Sequence, residues 1–370
     1  MLIVRFIIIV NLILNLYSYN DPVIYNNENI TLNNRTQQIH TLEVDLEEPG
    51  VSITNALSFS KIYGFEKTSI MVKDNDGAIA GVNGMFYTMY GHHIGLMVKD
   101  KKIVSKANNY TPVVAFLESG ETFIGDMNTE MKIKKKDDNN SIIVSTMNDG
   151  ANEETWVLYS DIYGNSTRIT RKSINYVIDN NRVIDKLVTS EPVDIPRNGY
   201  VLSRVTEDTD KYDLLEINEV VEIETTYTPY IGPVQEAFQS GGWLVKDSIN
   251  VAKDYEPLMG NTRIPNPRTI LGVTKDNRLI LKVIDGRQPD YSYGVTGKIC
   301  GDLMLKEGCI NAVYLDGGAS STMVYEGKVV NSPSNKEERK VAHSILVKYE
   351  TNIINRIFSK IKNFARNIMK

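Results

Sequence analysis

The chain is poor in the residues that usually build metal clusters and disulfide frameworks. Its 370 residues include two cysteines, Cys300 and Cys309, and four histidines, with no Cys-x-x-Cys pair and no Cys/His cluster. A structural zinc site needs four such ligands at short, regular spacings, so none is indicated. The two cysteines could form a disulfide or remain as buried free thiols.

The chain also lacks an excess of positive charge. Its 41 Lys and Arg residues are outnumbered by 46 Asp and Glu residues, which gives a net charge of −5. A nucleic-acid binder needs a basic surface, so nucleic acid is not an expected partner. An apolar fraction of 42% and a charged fraction of 24% are typical of a globular protein.

Long apolar runs are missing except at the N terminus. Residues 2–16 are apolar but are interrupted by Arg5, Asn11 and Asn15. The run is shorter than the roughly 20 residues that cross a bilayer as a helix. It favours a secretory signal peptide over residues 1–18, with a short uncleaved anchor as the alternative. The expected location is therefore secreted or at the cell surface.

Strand patterns dominate most of the remaining chain. Residues 19–74 are predicted to be an N-terminal leader with strands: 19–40 is polar and asparagine-rich, typical of a loose leader, and from Thr41 apolar and polar residues alternate. Residues 131–152 contain the charged run KKKDDNN, which predicts an exposed hairpin. Short strand-like runs follow between 155 and 232.

The last third predicts a strand, a helix and a second strand. Residues 277–284 are almost continuously apolar, 296–307 have helical periodicity, and 311–315 are apolar again. Such a βαβ unit has parallel strands with a right-handed crossover. The fold class expected is α+β, with α/β elements: a mixed central sheet, flanking helices and a C-terminal βαβ unit that carries the site.

Residues 351–370 have a different character. Isoleucines and phenylalanines fall on one face of a predicted helix, and Arg and Lys without any acid fall on the other. This basic amphipathic helix could contact an anionic membrane surface or cell-wall polymer. It could equally dock on the domain.

Two aspartates end the two predicted strands of the βαβ unit. Asp285 follows the first strand and Asp316 follows the second, and glycines follow both. Carboxyl ends of parallel strands meet at one edge of a sheet, where ligands bind. Two acids suit glycoside hydrolysis, could equally bind a divalent cation, or could only cap turns.

Other polar groups are expected at the same edge. Asn83 ends a short apolar strand between glycines, and Arg268 and Arg287 flank the strand pair with donors suited to phosphate oxygens. The hydroxyls of Ser320, Ser321 and Thr322 suit a sugar or a phosphate. A serine nucleophile is disfavoured, because the run lacks the closing glycine of the G-x-S-x-G elbow.

Several long motifs together resemble the phosphodiester glycosidase family. They are GVNGMFY, PRTILGVTKDNRLILKVIDGRQPDYSYGVT and INAVYLDGGASSTMVYEGKVVNSPSNKEERKVAHSILV, in that order, and they place the domain at 75–348. The segments WVLYSDIYGNSTRIT and GGWLVKDS are also similar to parts of the family. The motif positions implied by the resemblance are Asn83, Gly241, Gly242, Arg268, Asp285, Arg287, Asp316, Gly317, Gly318, Ser320, Ser321 and Thr322.

The resemblance implies hydrolysis of a sugar-1-phosphodiester, with a phosphate-linked glycan as substrate and no required cofactor. Asp316 would be the nucleophile or base, Asp285 the second carboxylate or an orienting group for an arginine, and the arginines the phosphate ligands. Two alternatives stay open. One is a non-catalytic glycan- or cell-wall-binding protein on the same scaffold; the other is a metal-dependent phosphodiesterase.

Overall fold

The structure is a computed structural model that describes residues 21–32, 34–136, 140–153 and 155–350. The predicted signal peptide at 1–18 and the predicted amphipathic helix at 351–370 lie outside the described residues. Neither α1 (Thr68–Lys73) nor α2 (Gly297–Lys306), the α-helices of the described ranges, has the length and apolar character of a membrane-spanning segment.

The described strands fall into two groups along the chain. The first group is β1 (Val23–Leu32), β2 (Arg35–Asp45), β3 (Val51–Leu57), β4 (Glu66–Lys67), β5 (Ala78–Asn83), β6 (Met97–Lys99), β7 (Lys102–Ser105), β8 (Val113–Leu117), β9 (Thr122–Gly125), β10 (Asn128–Lys135), β11 (Ser141–Val144), β12 (Thr146–Met147), β13 (Val157–Ser160), β14 (Ser173–Asp179), β15 (Arg182–Thr189), β16 (Tyr200–Val205), β17 (Val221–Thr228) and β18 (Val234–Gln239). The second group is β19 (Trp243–Lys246), β20 (Ile249–Asn250), β21 (Tyr255–Glu256), β22 (Gly260–Asn261), β23 (Arg268–Thr274), β24 (Arg278–Ile284), β25 (Cys309–Tyr314), β26 (Met323–Tyr325), β27 (Lys328–Val329), β28 (Lys340–Val341) and β29 (His343–Tyr349).

The expected α+β class with flanking helices is wrong. Strands account for 49% of the structure and helices for 8%. The elements around the predicted βαβ unit do form, as β24, α2 and β25. However, β23 lies between β24 and β25 and is antiparallel to both. Strands β24 and β25 are therefore parallel to each other but are not neighbours. The strand between them is β23, which precedes β24 in the chain and forms a hairpin with it.

The main sheet has seven strands in the order β1-β2-β24-β23-β25-β19-β20. Along β24, Leu281 and Val283 face one core cluster, while Ile280 and Ile284 face another that includes α2. This explains the continuous apolar run, because both faces of the strand are buried. One edge of the sheet is formed by the hairpin β1–β2. This hairpin includes most of residues 19–40, where the sequence pattern predicts a loose leader.

A second sheet packs face to face on the main sheet. Its order is β27-β26-β5-β29-β3, and Val82 of β5 and Ile345 of β29 share one core with Leu281, Val283 and Val313 of the main sheet. Burying each such side chain contributes about 1.5–3 kcal/mol. The interface between the two sheets is thus the main hydrophobic core around the strand ends that carry the candidate site.

Residues 97–239 form additional sheets between β5 and β19. They comprise the sheets β7-β6-β18-β8-β9, β11-β10-β17 and β12-β13-β16-β14-β15. The predicted hairpin at 131–152 is confirmed by the antiparallel pairing of β10 with β11. The strand-like runs predicted between 155 and 232 are confirmed as β13, β14, β16 and β17.

A buried polar cluster joins strands β3 and β29 of the second sheet to strand β18. Asn55 of β3 donates through its amide to Glu236 of β18 at 2.8 Å, and its side-chain oxygen faces Nε2 of His343 of β29 at 2.9 Å. The other ring nitrogen of His343 accepts from the backbone N–H of Met85 at 3.0 Å. These partners select the neutral ring with its proton on Nε2. Burial lowers the pKa of His343 to about 3, in agreement with that form.

Gly84 has no room for a side chain. A Cβ atom there would lie 2.1 Å from Nδ1 of His343, which is itself fixed by the cluster. Gly84→Ala should therefore lower the free energy of unfolding by about 1–3 kcal/mol or more, because overpacking displaces the ring. Gly150→Ala is the matched control, since nothing lies within 4 Å of a Cβ atom at that position. Urea denaturation of both variants checks this; equal midpoints for the two would contradict the structure.

Candidate active site

The two aspartates predicted from the sequence leave the main sheet at the same edge. Asp285 directly follows β24, and Asp316 follows β25 after Leu315. Arg268 begins the antiparallel strand between them and pairs with Ile284. With one strand interposed, the two backbones are about 10 Å apart, twice the ordinary spacing between strands.

Asp285 is fully buried and its carboxylate is fully engaged. The side chain is 1% exposed. Its oxygens accept from the amide of Asn331 at 2.9 Å and the backbone N–H of Ser332 at 2.9 Å, and Nε2 of His40 lies at 3.2 Å. The hydroxyl of Tyr25 contacts the other ring nitrogen of His40 at 2.9 Å. This carboxylate is positioned to hold β2, β24 and the 331–332 turn together.

Asp316 has a different environment. It is only partly buried at the strand end, next to the 3-10 turn Gly318–Ser320. Burial raises the pKa of Asp316 to about 6, while the Ser320 hydroxyl, the Arg339 guanidinium and the Gly317 N–H act in the opposite direction. A carboxyl group that titrates near neutral pH and reaches solvent is suited to acid–base or nucleophilic chemistry.

Asn83 joins the two sheets beside Asp316. Its amide donates to the backbone oxygen of Asp316 at 2.6 Å, and its side-chain oxygen accepts from the hydroxyl of Thr269 at 2.8 Å and the backbone N–H of Thr322 at 3.1 Å. The residue is fully buried. Asn83 therefore fixes the position of the reactive strand end and contacts no solvent itself.

The hydroxyl cluster lies directly after Asp316. The Ser320 hydroxyl contacts the phenol of Tyr87 at 3.2 Å. Among the described residues, the hydroxyls of Ser321 and Thr322 are buried without a hydrogen-bond partner. Burial, together with the nearby charge of Asp316, raises the pKa of Tyr87, so its phenol stays protonated and can donate. These hydroxyls could serve a bound sugar.

The predicted arginines have separate environments. Arg268 is 4% exposed, and its guanidinium donates to the backbone oxygens of Ile264 at 3.0 Å and Val295 at 3.2 Å. It is thus mainly part of the scaffold. Arg287 is exposed, and its Nε donates to Asn266 at 3.0 Å. Its guanidinium is free to meet an anion.

The glycines near the site lie in close contact with other side chains or backbone segments. Gly318 has a φ of 63°, and a Cβ atom there would lie 3.1 Å from the guanidinium of Arg287. Gly317 lies against the backbone of residue 267. Gly241 and Gly242 pack beside the end of β25, where the N–H of Gly241 donates to the oxygen of Tyr314 at 2.8 Å.

Sequence reasoning missed four contributors. His40 and Asn331 hold Asp285, and Tyr87 and Arg339 surround Asp316. His40 lies in a strand pattern without a local signal, whereas Asn331 and Arg339 lie in the motif INAVYLDGGASSTMVYEGKVVNSPSNKEERKVAHSILV but were not singled out within it. Tyr87 ends the motif GVNGMFY, four residues after Asn83. Its phenol hydroxyl in that motif was the signal that could have identified it as a site residue.

The described part of the chain has neither a cluster of metal ligands nor a disulfide. Within the described ranges, no three His, Cys, Asp or Glu side chains are grouped to hold a metal ion. Cys300 and Cys309 are buried free thiols, and burial raises the pKa of each to about 12.

Comparison with known sequences finds a family match over part of the chain. Residues 172–348, which include both aspartates, Arg268 and Arg287, match the model of the phosphodiester glycosidase family. This part of the chain, slightly less than half of it, is similar to the phosphodiester glycosidase domain. This family supports a glycosidase-type hydrolase function for the chain.

One curated relative shares part of the phosphodiester glycosidase sequence. The SPbeta prophage-derived uncharacterized protein YomE of Bacillus subtilis is 36% identical over 115 residues, which are 31% of this chain and 18% of YomE. The match thus spans less than a fifth of the relative's length.

Solved structures share the fold of this chain. A hypothetical protein from Synechocystis has a TM-score of 0.75 at 15% identity and covers 90% of this chain and 63% of its own. A candidate exported protein from Burkholderia pseudomallei has a TM-score of 0.67 at 20% identity, over 85% of this chain and 74% of its own. The zebrafish N-acetylglucosamine-1-phosphodiester alpha-N-acetylglucosaminidase catalytic domain, auto-inhibited by its pro-peptide, has a TM-score of 0.51 at 17% identity, over 90% of this chain and 85% of its own. At these identities the likeness establishes the fold.

The two aspartates should respond differently to loss of charge. Asp285→Asn should lower the free energy of unfolding by about 1–3 kcal/mol, because an amide N–H₂ would face the donors that the carboxylate now accepts from. Asp316→Asn should leave stability at pH 7 unchanged or slightly raised, since it removes a charge that burial disfavours. Thermal unfolding of both variants measures this. The reverse order of stabilities would show that the two environments have been assigned incorrectly.

Proposed function

We propose that the chain hydrolyses a sugar-1-phosphodiester of the N-acetylglucosamine-1-phosphate type or a phosphate-linked surface glycan. The observation that carries the proposal is the environment of Asp316. A partly exposed carboxyl group with a raised pKa lies among unpartnered hydroxyls and near two exposed guanidinium groups, those of Arg287 and Arg339. The family of residues 172–348 and the fold shared with the zebrafish glycosidase support the same reaction.

The proposed reaction breaks the bond between the anomeric carbon and the phosphate oxygen. The electron pair of that bond goes to the leaving phosphate monoester, whose second pKa is about 6, so it needs little protonation. Water supplies the new oxygen on the anomeric carbon. The Asp316 carboxylate either accepts the proton of that water or first attacks the carbon itself.

The other groups of the site have supporting roles in this proposal. Arg287 and Arg339 bind the phosphate, because both are exposed and their guanidinium groups lie near Gly318 and Asp316, respectively. Ser321, Thr322 and the phenol of Tyr87 bind the sugar hydroxyls. Asp285 and Asn83 act as positioning residues, since their hydrogen bonds are already taken by the protein.

Two alternatives share this site. A non-catalytic glycan-binding protein would need no carboxyl group with a pKa near 6, so the environment of Asp316 favours the enzyme. A metal-dependent phosphodiesterase would break the P–O bond instead. Reaction in ¹⁸O-labelled water separates the two reactions. The metal-dependent phosphodiesterase would place the labelled oxygen in the phosphate, whereas the glycosidase would place it in the sugar.

Asp316→Asn should reduce turnover of methyl N-acetylglucosamine-1-phosphodiester by at least about a thousandfold, since the other carboxylate of the site, that of Asp285, is already engaged by Asn331 and Ser332. Reaction in ¹⁸O-water should place the label in the released sugar. Gly150→Ala is the control variant. Wild-type rates in Asp316→Asn, or label in the phosphate alone, would refute the proposed chemistry.

The pH dependence of kcat/KM provides a second test of the role of Asp316. Both proposed roles need the ionised form, and the pKa of Asp316 is raised to about 6. The value of kcat/KM should therefore fall about tenfold per pH unit below pH 6 and level off above it. A fall above pH 6 instead would assign Asp316 as a general acid.

We also propose a secreted or cell-surface location. The apolar segment within 1–18 and the structural likeness to a candidate exported protein support it. The 351–370 segment would add contact with a membrane surface or cell wall. Fractionation of cells expressing the full chain checks this, and recovery of the full-length protein only from the cytosol would contradict it.

A further inference from the structure

A large cleft lies beside the candidate active site, and its lining residues other than Thr228 belong to the part of the chain that the family model does not match. Its volume is about 1180 Å³, which exceeds the roughly 300–1,000 Å³ of clefts that hold drug-sized ligands. Its walls come from the turn 88–95, the segment 105–109 after β7, the start of β10, and residues 143–149. The cleft therefore has room for several sugar rings.

The cleft is connected to the active site by one hairpin. Tyr87, which contacts Ser320, pairs with His93 in an antiparallel bridge. The tip of the hairpin carries Met89 and Tyr90, which line the cleft and are 82% and 73% exposed. Three residues of extended chain span at most about 10 Å. A ligand at Tyr90 could thus be continuous with a sugar ring at Tyr87.

The lining of the cleft matches a neutral carbohydrate. Asparagine amides, serine and threonine hydroxyls, Tyr63 and Tyr90 dominate it. Tyrosine offers a large apolar face with a polar tip, which suits the mixed surface of a sugar ring. Within the described residues, His93 Nδ1 and Thr146 Oγ1 are buried in the wall without a partner. Unpartnered buried polar atoms are costly, so a ligand's hydroxyls would be favourable there.

The charges of the cleft argue against an anionic occupant. Lys106 already donates its ammonium to the oxygen of Val144 at 2.7 Å, and burial lowers its pKa. Glu130 is paired with Lys132 at 2.5 Å. Asp149 is exposed and adds negative charge. No free cation is left in the described lining to bind a chain of phosphates, whereas exposed arginines lie at the site itself.

We propose that this cleft binds a neutral oligosaccharide segment that continues from the reacting sugar, so that the substrate is an oligosaccharide-1-phosphodiester. The inference rests on the proposed function. Tyr90 and Met89 are the specificity-determining residues, and their contact with the second and later sugar rings favours long glycans over a single sugar.

The kinetic test compares two substrates with the same leaving group. The methyl phosphodiesters of N-acetylglucosamine and of its tetramer are hydrolysed by the full chain. We expect kcat/KM to be at least tenfold higher for the tetramer. In Tyr90→Ala this ratio should fall towards one while the rate on the monosaccharide stays the same. Tyr255→Ala is the matched control, since Tyr255 is 64% exposed and does not line the cleft.

A binding test separates failure of this inference from failure of the proposed function. Calorimetric titration with the neutral N-acetylglucosamine tetramer, which carries no phosphate, needs no turnover. We expect binding to the wild type and to Asp316→Asn, and a Kd raised at least tenfold in Tyr90→Ala but not in Tyr255→Ala. Equal kcat/KM for both substrates, or tetramer binding that Tyr90→Ala leaves unchanged, would overturn the cleft assignment.

Discussion

The side-chain amide of Asn83 holds the strand end that carries the candidate catalytic carboxylate. Asn83 belongs to the second sheet, but it donates to the backbone of Asp316 and accepts from Thr269, which belongs to the main sheet. It also accepts from Thr322 after the hydroxyl turn. The contact is buried, so no water competes for these bonds. The orientation of Asp316 and of the following hydroxyls therefore depends on how the two sheets pack.

The two aspartates illustrate how burial separates the roles of identical side chains. Asp285 is enclosed and accepts hydrogen bonds from Asn331 and Ser332 beside His40, so its side chain is fixed within the scaffold. Asp316 is partly open to solvent, and burial raises its pKa to about 6. The engaged carboxylate of Asp285 keeps the strand ends in place, and in the proposed function Asp316 meets the substrate.

The additional sheets of residues 97–239 extend the binding surface beyond the reaction centre. Their strands pack around their own apolar clusters, and the cleft lies where they approach the Tyr87–His93 hairpin. Because that hairpin also contacts Ser320, the proposed recognition of remote sugars and the proposed positioning of the reacting sugar would share a short covalent link. Binding energy from remote parts of a substrate can be used in this way to orient the reacting bond.

The sequence by itself determined the local elements and the two carboxylates that follow strand ends. The apolar run of β24, the helix at 297–306 and the strand before Asp316 were predictable, because periodicity and burial on both faces leave a local pattern. The placement of Asp285 and Asp316 at one sheet edge also followed from it. Tertiary structure alone decided that β23 lies between them, because strand order depends on long-range pairing that no local pattern encodes. It likewise decided that His40 and Asn331 surround Asp285 and that Arg268 serves the scaffold, since these contacts join segments far apart in the chain.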